Sequence, residues 1–353
     1  MAKLKVGVIG AGAISRDHCH GVSRHPDAEV VAIADIHAKR RKTVKKEYGI
    51  AKDYDSIKAI LADDEIDGVC IALPNYLHAP TAIAAFEAGK HVLLEKPFAM
   101  NITEAKAVAA AAKKAGKVLM VGMNQRYPAN AQTIRQVVKR GDIGNVYHAR
   151  AYWRRRAGAP KFGTWFGDKR QAGGGCLLDI GVHLLDLCLF TMDNFQPVSA
   201  SGAVYTKFGN RGLGEGGWGH SDRKPGKPVF TVDDCASALI KFKNGATVDL
   251  TVSWVLHQET PNEMDVELFG TEGGASVDPA RIYRDGKGKG EYEVVQPQGI
   301  EIDRPHGSRQ HDWVDGVLKR RKPMCTVEQS LTVQKILDAI YKSSATGKDV
   351  RIR

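Results

Sequence analysis

The sequence predicts an α/β protein, with a doubly wound parallel sheet in the first half and a β-rich second domain after it. Three observations carry the prediction. The β-branched run "LKVGVIGAGAIS" breaks into a glycine loop. Short apolar runs then alternate with helix-like segments as far as residue 124, and "ASALIKFKNGATVDLTVSW" joins two strand-like runs through Asn244-Gly245, a strong hairpin signal. At 353 residues the chain is too long for one ordinary domain and comfortable for two. The expected division is a first domain over 1–124 and a second over 125–353, with the last helix free to pack back on the first.

The first run ends at Gly10, which permits a tight turn. Gly12 lets backbone amides approach a pyrophosphate, and Ala13 and Ile14 lead into a helix whose N-terminus attracts it. Ser15 stands where a third glycine is usual and is small enough to keep helix and strand close. The next run, "EVVAIAD", ends in Asp35 at about the 20-residue offset expected for a ribose-binding carboxylate. A surface turn acid is the alternative reading, and the placement of the glycine loop favours the ribose. A carboxylate there repels a 2′-phosphate, so NAD is expected over NADP; Lys39, Arg40 and Arg41 just beyond keep NADP open.

The rhythm continues through "IDGVCIALP" (strand), "HAPTAIAAFEAG" (helix), "HVLLEKP" (strand), "ITEAKAVAAAAKKAG" (helix) and "KVLMVGMNQRY" (strand). Cofactors bind at the carboxyl ends of such strands, where Gly10, Asp35, Pro74-Asn75 and Glu95-Lys96-Pro97 all fall. His78 reads as holding a loop at that edge. Asn124 and Arg126 follow the last strand, within reach of a nicotinamide or a substrate. A lysine after an apolar strand is usually a surface residue, but Lys96 follows Glu95 and precedes a proline at the cofactor edge. There it can bind a substrate oxygen and stabilise developing negative charge.

Composition narrows the classes. Hydrophobic residues at 43% and charged residues at 26% suit a globular protein rather than a disordered one. The six cysteines (Cys19, Cys70, Cys176, Cys188, Cys235, Cys325) are scattered without a CxxC pair and read as reduced core residues. No metal is expected, because the side chains of "HCH" at 18–20 diverge on a helix. The net charge of +11 raises a nucleic-acid hypothesis, yet "WRRR" (153–156) and "LKRRKP" (318–323) are far apart and match no recognition pattern. A solvated basic surface, or attraction for anionic small molecules, accounts for the charge without a nucleic-acid partner. No signal peptide and no stretch of membrane-spanning length are expected, so the expected location is the cytoplasm.

In the second half, "GGGCLLDIGVHLLD" (173–186) runs three glycines into an apolar segment at helical spacing. Asp179 and His183 are four residues apart and project from one face. Taken alone, the pair reads as a buried structural hydrogen bond. The glycines shift the reading, because such a run lets a substrate or cofactor approach the backbone. Asp186, a turn further on, reads as capping or packing. Arg154, Trp165, Trp218 and His311 are of the kind that line sugar pockets, though each alone is an ordinary structural residue. "VELFGTEGGASVD" reads as a second hairpin, the last segments as a helix and a terminal strand, and the glycine-rich 206–228 as a mobile loop, with a lid or intersubunit arm as alternatives.

Gly10-Ala11-Gly12, His18, Asp35, "LPNYLHAP", "AGKHVLLEKP", "GGGCLLDIGVHLLD", "FKNGATVDLTVSW" and "GTEGGASV" together resemble the Gfo/Idh/MocA family, the glucose–fructose oxidoreductase and inositol dehydrogenase group. The resemblance runs from the first strand to the terminal "SSATGKDVRI". It implies a Rossmann domain followed by an α+β domain with a large, mainly antiparallel open sheet, and homodimers or homotetramers assembled through that sheet. It also implies NAD(P)-dependent interconversion of a hydroxyl and a ketone on a sugar or cyclic polyol, with Lys96, Asp179 and His183 as the catalytic group. His183 then takes the hydroxyl proton, Lys96 steadies the oxygen, and Asp179 binds a neighbouring hydroxyl and orients the base. The alternatives are ring oxidation as the first step of NAD-assisted glycoside cleavage, and a nucleotide-binding sensor without turnover.

Overall fold

The computed structural model describes residues 3–219 and 229–353. The chain forms two compact units. The first comprises residues 1–123 with 308–331. Its sheet contains β1 (Leu4–Ile9), β2 (Ala28–Ala34), β3 (Lys52–Tyr54), β4 (Gly68–Ile71), β5 (His91–Leu94) and β6 (Leu119–Val121). The strands are all parallel, in the order β3-β2-β1-β4-β5-β6. Central residues such as Val8, Val69, Ile71 and Leu93 are fully buried, as in a parallel sheet covered by helices on both faces. The order reverses between β1 and β4, which opens a crevice at their carboxyl ends. The edge strand β3 escapes apolar periodicity because it is only "KDY".

The expected division gives 308–331 to the second domain, whereas the structure groups it with the first unit. Two contacts explain this. Trp313, in the helix Arg309–Val317, is fully buried against Gly68, where an added Cβ would lie 2.9 Å from its ring. Arg309 Nη1 donates to the Gly122 carbonyl at 2.8 Å.

The second unit, residues 124–307 with 332–353, is built on nine strands. They are β7 (Val146–Arg155), β8 (Pro197–Tyr205), β9 (Cys235–Phe242), β10 (Thr247–Ser253), β11 (Asn262–Gly270), β12 (Gly274–Ser276), β13 (Arg281–Asp285), β14 (Tyr292–Val295) and β15 (Val350–Arg351). The order is β14-β13-β12-β11-β7-β10-β9-β8-β15, antiparallel except for β7 beside β10. Both expected hairpins form, β9–β10 and β11–β12. Side chains along β9 alternate strictly, with Ala236, Ala238, Ile240 and Phe242 inward and Ser237, Leu239 and Lys241 outward. One face of this sheet is therefore core and the other is open.

The core helix corrects one expectation. The stretch Lys169–Thr191 has 23 residues and contains an 18-residue window of mean hydropathy 1.5, enough by length and composition to cross a membrane. Yet 83% of its apolar window is buried inside the protein, which is the behaviour of a core helix. The glycine-rich segment also departs from a simple mobile loop over its described part. There Asp234 accepts the N–H groups of Lys207, Phe208 and Gly209, and Gly216 donates to the Ala159 carbonyl at 2.7 Å. Residues 220–228 lie outside the described residues.

Arg126, expected near the substrate, is instead fully buried in this core. Its Nε donates to Asp186 Oδ2 at 2.7 Å and its Nη2 to Oδ1, with the rings of Phe190 and Phe195 each 5.3 Å from the guanidinium carbon. A fully buried guanidinium held bidentately by a carboxylate is a structural ion pair, with no exposed surface to offer a ligand. Removing one partner strands the other as a buried charge, which costs about 3–5 kcal/mol. Arg126→Leu should therefore lower the denaturant midpoint by that equivalent while leaving substrate KM near the parent value. A raised KM in a variant of unchanged stability would return Arg126 to the pocket.

Candidate active site

The nucleotide cradle forms within the first unit. Gly10 has φ +100°, and a Cβ there would sit 2.3 Å from the Ala72 carbonyl oxygen. A Cβ on Gly12 would meet nothing within 4 Å, so open space lies over this turn. Ala13 and Ile14 are exposed where the loop enters the helix Ser15–Ser23. Ser15 is fully buried and its hydroxyl donates back to the Gly12 carbonyl at 2.6 Å, which explains why serine serves at the third glycine position. Asp35 faces this loop, its two oxygens accepting the N–H groups of Ala11 and His37, each at 2.7 Å.

Beside Asp35 lies a cavity of about 180 Å³ lined by Ile36, His37, Arg40, Leu73, Pro74 and Tyr76. Its apolar walls and the carboxylates of Asp35 and Asp55 suit an adenosine, and with the open glycine turn the cradle fits a dinucleotide. Tyr76 is a lining residue the sequence did not flag. Of the three basic residues beyond Asp35, Arg40 lines the cavity, while Arg41 is held by Asp53 at 2.8 Å and Lys39 is exposed. Asn75 is buried, next to the cavity-lining Pro74.

Two residues expected at this edge turn inward. The ring of His78 is held between the carbonyl oxygens of Pro97 at 2.8 Å and Leu73 at 2.9 Å, so it ties together the loops after β4 and β5. Glu95 is buried, with Oε1 2.7 Å from Arg309 Nη2 and 2.9 Å from His18 Nε2. Burial raises the Glu95 carboxyl, but the Arg309 guanidinium and His18 more than offset this and hold it well below the ordinary carboxylate range. Its Oε2 accepts the Lys96 N–H at 3.2 Å. Glu95 thus supports the backbone of Lys96 rather than presenting its own carboxylate to a ligand, and His18 belongs to the same network. Lys96 follows half-buried at the end of β5. Among the described residues no group of three His, Cys, Asp or Glu side chains is placed to hold a metal.

In the second unit, Asp179 lies in a π-helical turn, Leu177–Gly181, that continues into the α-helix Val182–Thr191 carrying His183. Such wide turns inside helices recur at functional sites. Both side chains are 9% exposed, enough to meet a ligand. Asp179 Oδ2 accepts from Trp254 Nε1 at 3.0 Å.

The glycines before this turn have a reason other than ligand access. A Cβ on Gly174 would fall 2.0 Å from the Tyr341 hydroxyl, and one on Gly175 would fall 1.9 Å from the Asp233 carbonyl oxygen. Asp233 Oδ1 accepts from Gly175 N at 2.7 Å and Tyr341 Oη at 2.7 Å, and its Oδ2 accepts from Leu177 N at 2.9 Å. Gly174 and Gly175 leave room for a buried carboxylate and a tyrosine to grip the start of the helix.

An aromatic series adjoins Asp179. Trp165 stacks on Phe166 at 3.8 Å, Phe166 meets Trp218 at 5.0 Å, and Trp218 meets Trp254 at 6.5 Å. Strand parity then reassigns the arginines. Arg154 points to the open sheet face, where it pairs with Glu263 at 2.9 Å. Trp153 and Arg155 point the other way, with the Trp153 ring 6.2 Å from His183 and the Arg155 guanidinium 4.4 Å above Trp153. The alternation of "HARAYWRR", with Ala149 and Ala151 inward, is the signal that would have found them. His311 belongs to the first unit and packs edge-on against His25 at 4.9 Å. Asn124 sits exposed in a short turn whose carbonyl accepts the Tyr127 N–H at 3.2 Å.

Comparison with known proteins agrees with both units. Residues 4–123 match the family described as "Oxidoreductase family, NAD-binding Rossmann fold", and 131–276 match its C-terminal domain. A D-glucoside 3-dehydrogenase of Escherichia coli is 30% identical over 350 residues, covering 99% of this chain and 97% of the relative. A levoglucosan dehydrogenase of Pseudarthrobacter phenanthrenivorans is 31% identical over 290 residues, covering 77% of this chain and 73% of its own. The solved structure of an NAD-binding protein from Listeria innocua superposes with a TM-score of 0.81 at 28% identity, covering 99% of this chain and 97% of that one. The chain belongs to the Gfo/Idh/MocA family and is an NAD-binding oxidoreductase of that family.

Proposed function

We propose that this enzyme interconverts a hydroxyl and a ketone on the ring of a sugar or cyclic polyol, with Lys96, Asp179 and His183 as its catalytic group. The observation that carries the reading is the placement of Asp179 and His183. Both sit at the slightly exposed surface of an otherwise buried helix, with Trp254 fixing the carboxylate and an aromatic series beside it. Aromatic faces and a carboxylate are what a polyhydroxylated ring requires, since its C–H face stacks and its hydroxyls donate. The names of the two relatives, a glucoside and an anhydrosugar dehydrogenase, support the same substrate class.

Bound NAD supplies the hydride acceptor. His183 takes the proton from the hydroxyl oxygen on the carbon being oxidised, so that the C–O bond becomes a carbonyl as hydride leaves. Histidine suits this because its ordinary pKa of about 6.5 lies near working pH. Lys96 Nζ donates to the same oxygen and steadies its negative charge. Asp179, whose Oδ2 accepts from Trp254, binds a neighbouring substrate hydroxyl and orients the base. Asp35 accepts from the adenosine ribose and disfavours a 2′-phosphate.

The oligomer we propose is a homodimer or homotetramer joined through the open face of the nine-stranded sheet. That face carries exposed Tyr205 and Leu239 around a groove of about 680 Å³, together with the pairs Arg150–Glu267 and Arg154–Glu263. Alternating charge of this kind complements itself across a two-fold axis.

Three experiments bear on these readings. Lys96→Ala and His183→Ala should each lower kcat by about 10²–10⁴-fold on a substrate found by screening inositols, aldoses, anhydrosugars and glycosides for NADH fluorescence. NAD affinity should stay near the parent value; parental turnover in both variants would sink the assignment. Asp35→Ser should move the NADP-to-NAD ratio of kcat/KM upward by about tenfold, the equivalent of about 1.4 kcal/mol, and an unchanged ratio would remove Asp35 from cofactor choice. Leu239→Glu should convert the assembly to monomers in sedimentation velocity, and an unaltered species would place the interface elsewhere.

A further inference from the structure

The three consecutive arginines 154–156 are not equivalent. Arg154 is taken by Glu263 at 2.9 Å, and Arg156 Nη1 donates to the Glu259 carbonyl at 3.2 Å. Arg155 lies between them, half-buried, on the side of the sheet that faces Asp179 and His183. Its backbone is bonded to Ser253, but among the described residues no carboxylate or carbonyl accepts from its guanidinium. The side chain is nonetheless fixed. Its guanidinium stacks 4.4 Å from the Trp153 ring, and its stem runs over Gly158, where a Cβ would fall 2.5 Å from Arg155 Cδ. The same indole ring lies 6.2 Å from His183. Burial lowers the guanidinium pKa while Asp179 opposes the shift, so the cation is partly stripped of water without an ion-pair partner.

We infer that Arg155 is a substrate-binding residue that recognises an oxyanion, a carboxylate or a phosphate carried by the sugar. Five N–H donors in a planar fork match such a group bidentately, and the Trp153 stack leaves the edges of the fork available. A desolvated cation beside the reacting groups is best balanced by a ligand that brings the opposite charge. The neighbouring Asp179 does not take that place, because its Oδ2 is bonded to Trp254 and no ion pair joins it to Arg155. The inference rests on the sugar-oxidising reading above and narrows it to acidic sugars.

The test is calorimetric binding to the NADH-loaded enzyme with three probes: methyl β-D-glucopyranoside, the corresponding methyl glucuronide, and the corresponding 6-phosphate. The parent enzyme should bind one of the two charged probes about 10–100-fold more tightly than the neutral one, and the tighter of the two identifies the oxyanion. Arg155→Met should bring the ratio close to one with NADH affinity retained, and Arg155→Lys should give an intermediate ratio, having kept the charge and lost the fork. Equal affinities for all three probes in the parent, undetectable binding included, overturn the inference, as does an undiminished ratio in Arg155→Met. Failure of the sugar-oxidising reading would show separately, as absence of NADH formation from every ring substrate screened, whatever the binding ratio.

Discussion

The buried carboxylate of Asp233 is the constraint on which the second unit depends. One oxygen accepts Gly175 N–H and the Tyr341 hydroxyl, and the other accepts Leu177 N–H, with Cys176 Sγ at 3.4 Å. The first turns of a helix leave N–H groups without intrahelical partners, and a negative charge there also meets the positive end of the helix dipole. Asp233 does both jobs from 58 residues away in sequence, which locks the helix start to the sheet. The wide turn at Leu177–Gly181 follows directly, and with it the register of Asp179 and His183. Gly174 and Gly175 are the local cost of admitting that grip.

The first unit uses the same device at Lys96. Glu95 is fixed by Arg309 and His18, Arg309 also donates to the Gly122 carbonyl, and its Nη2 reaches Asp17 at 2.7 Å. One guanidinium therefore ties the glycine-loop helix to the ends of β5 and β6. A single-stranded reading of the chain cannot anticipate this, since Arg309 is more than two hundred residues from Glu95 in sequence. In both units the residue proposed to touch substrate is flanked by a buried carboxylate whose hydrogen-bonding capacity is already spent. Preorganisation of this kind keeps a reactive side chain from wandering, and small misplacements of such groups are costly to rate.

Local chemistry is what the sequence carries best. The glycine loop, the acid at Asp35, the strand–helix rhythm and the two hairpins are all written in neighbouring residues, and all formed. What stayed hidden depends on partners distant in the chain. Arg126 looked like a pocket residue because nothing nearby reveals Asp186 as its counter-ion. Gly174 and Gly175 suggested ligand access because Tyr341 and Asp233 are invisible locally. His311 is polar and aromatic, but its helix is held to the first unit by Trp313 and Arg309. β3 failed for a different reason: three polar residues at a sheet edge carry no periodicity to read.

The cluster "WRRR" shows how pattern and parity divide the information. As composition it is a block of positive charge, and a net charge of +11 invites a single explanation for all such blocks. As a strand end it is two faces. The open face receives Arg154, where Glu263 neutralises it in a row of alternating charges, and the inner face receives Trp153 and Arg155 beside His183. Period-two geometry thus converts adjacent identical residues into different functions, and a shift of one residue in the β7–β11 register would exchange them. That register is held by Ala149 and Ala151, small inward residues with no room for an arginine in their place. The strand's charge is therefore divided between a surface and an interior, and the division follows from where two alanines are buried.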